Sequence, residues 1–212
     1  IYIAVVNDKP VGIGAEAVIV ARHPCVAEIN VVTLHREYFR VAGITHQRSG
    51  LDDSGQDTDA ITYLTLANLL IHKVNPSAIS IAEEMSGMPG LALPFAKGGI
   101  GFDYRMAMGI PDYWIKLIKE KRDEDWHPTS IYWELTNRRP DEKTISYCES
   151  HDQALVGDKT IIFRLIDADM YWHMGTGDKT YSVERGMALH KMIRLVTLAT
   201  INGGYLNFMG NE

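Results

Sequence analysis

Two short segments gather carboxylates where they could do chemistry. One is Ala82-Glu83-Glu84-Met85-Ser86-Gly87-Met88-Pro89, the other Glu149-Ser150-His151-Asp152-Gln153-Ala154-Leu155-Val156-Gly157-Asp158-Lys159. Each follows a brief apolar, β-rich run, residues 78–82 and 144–148. Acids at the carboxyl ends of successive strands, with helical segments between, are how a barrel enzyme surrounds its substrate. Carboxylates held close together serve glycosidic chemistry: one protonates the leaving oxygen, another supports positive charge on the sugar. A carbohydrate-active enzyme is the reading these residues favour. For any single acid a solvated loop position is the commoner case, but two such loops, each with a Gly or Pro turn signal, shift the balance. Strand neighbours point to opposite faces, so Glu83 and Glu84 cannot both aim at one centre, and periodicity does not choose between them.

The elements that must position these acids alternate from residue 51 onward. Asp57-Thr58-Asp59 can cap a helix over 60–72, with Ala60, Leu64, Ala67 and Ile71 at helical spacing and Pro76 ending it. A strand over 78–82 follows, then a loop over 87–101 rich in Gly and Pro, a length that favours function. Pro111-Asp112 opens a helix to about Lys121, and Pro128 starts a shorter one ending near Arg138-Arg139, which would cap its carboxyl end. A strand over 144–148, helices near 160–172 and 182–200, and a strand over 205–209 complete the run. Repeated βα units predict a parallel sheet or barrel. Residues 1–50 differ: Ile1 to Val6 and Ala17 to Ala21 are strand-like, and Gly12-Ile13-Gly14 lacks the third glycine of a dinucleotide fingerprint.

A chain of 212 residues, 46% apolar and 23% charged, suits one soluble domain or slightly more. A net charge of −6 with no basic stripe argues against nucleic acid. No apolar run reaches the roughly 18 residues of a membrane helix, and no signal peptide is visible. Cys25 and Cys148 form neither a disulfide framework nor a metal spacing, which suits a reducing compartment. The start at Ile1 and the stop at Glu212, just past a strand-like run, read as a piece of a larger protein.

The acid-bearing segments closely resemble the α-1,4-glucan branching enzymes of the α-amylase superfamily. So do Gly101-Phe102-Asp103-Tyr104-Arg105, Lys121-Arg122-Asp123-Glu124-Asp125-Trp126, Leu135-Thr136-Asn137-Arg138-Arg139, Leu189-His190-Lys191-Met192-Ile193-Arg194 and the closing stretch over 204–212. The resemblance runs collinearly from about Gly50 to Glu212. It implies an α/β fold, the portion of a (β/α)8 barrel from about strand five to strand eight, with residues 1–50 unassigned and 51–212 the C-terminal part of the catalytic barrel. It implies a retaining transglycosylase that cleaves α-1,4 glucan and passes the chain to a 6-hydroxyl, with no cofactor or metal. The expected partner is an α-glucan, with the remainder of the barrel as another, and the setting is cytoplasmic, or plastidic in a plant.

The family register makes Glu83 the general acid/base and Asp152 the carboxylate that supports the transition state. His151 would hydrogen-bond sugar hydroxyls. Gln153 would share in substrate contact or loop order, as would Asp158 and Lys159, and Tyr104 in the Gly-rich loop would stack on a sugar. For Glu149, a strand-end acid hydrogen-bonded to backbone is as good a reading as a site role. Trp126, Trp133 and Trp172 read as core or helix-packing residues, the nine methionines as core filler, and His190 as a satisfied core histidine.

The family carries its nucleophile in an Arg-x-Asp segment on the fourth strand, and no Arg-x-Asp occurs in residues 1–50. The usual spacing lands near Glu28, whose surroundings do not match. The first 50 residues are then a divergent or misread segment, a new element covering an open sheet edge, or the edge of a fragment; a misread or truncated gene fits best. A catalytically inactive fragment, or a remnant that binds glucan without the nucleophile, is the alternative to a working enzyme.

Overall fold

A computed structural model describes residues 2–3, 58–85, 87–156, 159–178, 180–208 and 211. Cys25, Glu28, the Gly12–Gly14 pair, the 17–21 run, Asp57 and Asp158 lie outside the described residues. Two compact units are present: Ile1–Met106 with Arg139–Lys143, and Ala107–Arg138 with Thr144–Glu212.

In the first unit β1 (Tyr2–Ile3) pairs antiparallel with β2 (Ser80–Ala82), and β2 pairs in parallel with β3 (Tyr104–Met106). All three β2 residues are buried, the continuous burial expected of a covered parallel strand. Helix α1 (Thr58–Val74) buries Ala60, Leu64 and Asn68, and packs Ile61, Leu64 and Ile71 against Ala82, Leu91, Ile100 and Phe102. The long loop between β2 and β3 folds back on itself. Ile100 N–H donates to Gly90 O, Gly101 N–H to Leu93 O and Phe102 N–H to Leu91 O, at 2.9, 3.0 and 3.2 Å. At Gly99 a Cβ would stand 2.0 Å from Leu93 O, so only glycine lets the two arms approach this closely.

The second unit is built from α2 (Gly109–Glu120), α3 (Pro128–Thr136), β4 (Thr144–Ser146), α4 (Ile161–Ile166), α5 (Tyr181–Ala199) and β5 (Gly204–Tyr205). β4 and β5 run parallel, joined through the helices. Trp114, Ile131, Leu135, Ile161, Leu165 and Ile193 form the core, and Trp114 Nε1 donates to Thr197 Oγ1 at 2.9 Å. Both units are therefore α/β with parallel strand pairs, compatible with part of a barrel.

Several boundaries depart from expectation. Helix α2 begins at Gly109, with Pro111 inside its first turn, where a missing N–H is harmless. The helix expected over 160–172 stops at Ile166, because Asp167 adopts φ +56° and a tighter 3₁₀ turn follows through Tyr171. The last strand is only Gly204–Tyr205, with Leu206 N–H still donating to Ser146 O. Arg138 donates to Leu135 O at the end of α3 as a cap should, whereas Arg139 turns to Gly87 O. Met106 is buried, but Met85, Met174, Met187 and Met192 are exposed, so the methionines are only partly core filler. No helix among the described residues is long and apolar enough to cross a membrane.

Asp123 and Arg185 tie the segment after α2 to α5 through two bonds of 2.5 and 2.6 Å. Hydrogen bonds from Arg185 hold the Asp123 carboxyl below its ordinary range. A lowered native value means the pair stabilises fully above the ordinary carboxylate range and loses that effect as pH falls through the lowered one. Asp123→Asn should cost about 1 kcal/mol near neutrality after solvent screening, a drop of roughly 2–4 °C in melting temperature. Melts repeated towards pH 2 should show parent and variant converging.

Candidate active site

Glu83 is the first residue past β2, and partly exposed. Its neighbour Glu84 turns into a buried ionic cluster centred on Arg105, which lies opposite Ala82 in the parallel register. Arg105 is 8% exposed. Its Nη2 donates to Glu84 Oε2 at 3.2 Å, and its Nη1 donates to Met88 O at 2.8 Å and to Glu142 Oε2 at 3.2 Å. Glu142, 3% exposed, accepts the N–H groups of Gly90 and Ala92, both at 3.0 Å, and lies 3.5 Å from Arg139 Nε. One guanidinium thereby joins the end of β2, the start of the loop and the segment before β4. Arg105 and Glu142 were not singled out in the sequence, although a lone arginine inside Tyr104-Arg105-Met106-Ala107-Met108 is the signal of a buried, paired charge.

Tyr104 is not in the Gly-rich loop, because the loop has already closed at Phe102. It opens β3, two residues below the level of Glu83 in the register, and the Lys143 ammonium sits 5.8 Å from its ring centroid. A cleft of about 560 Å³ opens near this amino end of the strands, between Asn68, His72, Phe95, Asp103 and Lys143. There Asp103 Oδ2 accepts from Ser80 N–H at 2.7 Å and meets His72 Nε2 at 2.9 Å. That pair holds the end of α1 against the entry to β2.

In the second unit β4 leads into Tyr147, Cys148, Glu149 and Ser150, all buried. The chain then turns through a π-helical segment, Asp152–Val156. Gln153 shapes that turn: its Oε1 accepts from Ser150 N–H at 2.9 Å and from Ser150 Oγ at 3.1 Å, while Asp152 N–H donates to Ser150 Oγ at 3.3 Å. His151 and Asp152 stand partly exposed at the turn, with Nε2 3.4 Å from Oδ1. Lys159 pairs with Asp167 at 2.9 Å. The Glu149 carboxylate accepts from backbone, the Ile161 N–H, at 2.8 Å and from Asn211 Nδ2 at 2.9 Å. Among the described residues no three His, Cys, Asp or Glu side chains gather as metal ligands.

The remaining candidates divide. Trp126 packs on the buried Trp114, centroids 6.2 Å apart, but Trp133 and Trp172 are 67% and 78% exposed and are not core residues. His190 is not the satisfied histidine expected. Its buried Nε2 has no hydrogen-bond partner among the described residues, and burial together with Arg194 pushes its pKa down. Cys148 is a free, buried thiol whose pKa burial raises.

No family model matches the chain. Curated relatives do. It is 52% identical to the 1,4-alpha-glucan-branching enzyme of Dictyostelium discoideum, over 84% of this chain and 28% of that one. It is 59% identical to that of Rhizophagus irregularis, over 74% and 23%, and 55% identical to that of Solanum tuberosum, over 80% and 20%. The chain thus spans about a quarter of the length of these relatives.

Removing Glu142 leaves the buried Arg105 only partly compensated, with Glu84 still paired to it. Glu142→Ala should therefore destabilise the first unit by about 3–5 kcal/mol, with the Gly90 and Ala92 amides also left unpaired. Chemical denaturation checks this; a loss below about 1 kcal/mol would mean the cluster is loosely held.

Proposed function

From its homology to a portion of the 1,4-alpha-glucan-branching enzymes, we propose that this chain is the C-terminal part of their catalytic barrel, about strands five to eight over residues 51–212. It acts on α-1,4 glucan by retaining transglycosylation. One observation carries the reading. A match covering 157 residues of a 212-residue chain leaves at most 55 outside it, so the matched span includes Glu83 and Asp152 alike.

The chemistry follows from the residues. Glu83, at the end of β2, protonates the glycosidic oxygen as the bond to the anomeric carbon breaks, then takes the proton of the incoming 6-hydroxyl. Asp152 faces the positive charge that develops on the sugar, and the neighbouring His151 donates to sugar hydroxyls. Arg105 supports this assignment by drawing Glu84 into the buried cluster, which separates the two adjacent glutamates by role. Gln153 keeps the Asp152 turn in shape. The covalent step requires a further carboxylate about 5 Å from that of Glu83. The compartment is cytoplasmic, or plastidic in a plant.

An iodine-stain assay on the purified chain with amylose tests the proposal. Absorbance should fall with time, Glu83→Gln should slow the fall by about 10³-fold or more, and Glu84→Gln should stay within about tenfold of the parent. A folded parent that leaves amylose unchanged would sink the working-transferase reading, and glucan binding without catalysis would take its place. A Glu84→Gln variant as impaired as Glu83→Gln would overturn the choice between the neighbours.

A further inference from the structure

We propose that Glu149 is a positioning residue for the His151–Asp152 turn, an inference that rests on the role given to Asp152 above. The carboxylate is 1% exposed, too deep to meet a polymer. A charge at that depth costs several kcal/mol unless its oxygens are satisfied. Both are satisfied, and by partners on far parts of the chain. Oε2 takes the N–H of Ile161, where α4 begins, and Oε1 takes the side-chain amide of Asn211. The first bond joins the two ends of the segment that carries His151 and Asp152, closing it at its base. The second ties that base to the stretch following β5. Fixing the ends of a segment removes conformational freedom that would otherwise spread the Asp152 carboxylate over many positions. The Ser150–Gln153 bonds shape the top of the same turn but do not reach its far end. Glu149 supplies the constraint that they cannot.

The polarity of the two bonds makes a specific test. In Glu149→Gln an amide NH₂ replaces one acceptor and faces a donor. In the double variant Glu149→Gln/Asn211→Asp, the new amide can donate to the new carboxylate while the remaining oxygen still accepts from Ile161. Hydrogen exchange of the amides between 150 and 160 and branching kinetics would be measured on the full chain. Glu149→Gln should speed exchange in that segment about tenfold and lower kcat by about 10–100-fold with KM within twofold, since small misplacement of a reacting group has such effects. The double variant should return both to within about threefold of the parent. Asn211→Ala, which removes one bond and keeps the charge, should move both readouts the same way but less, and serves if Glu149→Gln fails to fold. Unchanged exchange in Glu149→Gln and Asn211→Ala would overturn the proposal, as would faster exchange with kcat unaltered. A parent with no branching activity would remove the functional reading alone, and exchange would still decide whether Glu149 orders the turn.

Discussion

A guanidinium that is out of reach of water must find its counter-charges within the protein, and around Arg105 that demand organises the first unit. Its three acceptors come from places with nothing else in common: the residue after Glu83, the carbonyl of Met88, and Glu142 before β4. Glu142 then passes the constraint onward, holding two loop amides. The loop between β2 and β3 has glycines at positive φ and one contact that only a glycine allows, so it could adopt many shapes as a free segment. The ion cluster and the backbone bonds at Gly90, Leu91 and Leu93 select one. The consequence reaches the candidate site, because the same cluster takes up Glu84 and leaves its neighbour at the strand end.

The second unit solves a similar problem with neutral partners. β4 delivers a buried run that ends on an acid, and the turn beyond it must present two polar side chains to solvent without drifting. Serine and glutamine knot the top of the turn, and the acid below it grips the start of α4. The π-helical geometry of Asp152–Val156 belongs with this arrangement, since π turns in proteins concentrate where a side chain has to be placed rather than where a helix has to be long.

How much of this was legible in the sequence depends on the range of the interaction responsible. The helices over 60–72, from Pro128 to near Arg138, and over 182–200 were readable to within about two residues because local signals, proline at a start and apolar spacing along a face, coincide with what packing demands. The break at Asp167 was not, because no glycine or proline marks it and an aspartate at positive φ looks like any other. Tyr104 was misplaced by two residues' worth of loop: nothing local says that the chain stops looping at Phe102 and becomes a strand. Arg105 and Glu142 lie 37 positions apart in their bond, and a pairing of that separation leaves only a weak trace, a charge where an apolar residue would be expected. The acid-bearing turns themselves were readable, since each follows a short apolar run and a turn signal. Choosing among their acids was not, and a family resemblance was needed to do it.

Burial adds a physical criterion for some of these acids, though Glu83 and Glu84 are covered alike. The acids at these strand ends fall into two groups. Glu142 and Glu149 are almost wholly enclosed, and each spends both oxygens on donors fixed in the protein. A carboxylate so enclosed has no room for a substrate beside it, so it can hold the chain but cannot exchange a proton with a sugar oxygen. Glu83 and Asp152 are only half covered; Glu83 is the first residue past β2, and Asp152 opens the turn that follows the buried run after β4. An acid that reacts needs access first and a shifted proton affinity second. Enclosure therefore marks Glu142 and Glu149 as acids that support, while Glu84, as half-buried as Glu83, is set apart by its bond to Arg105.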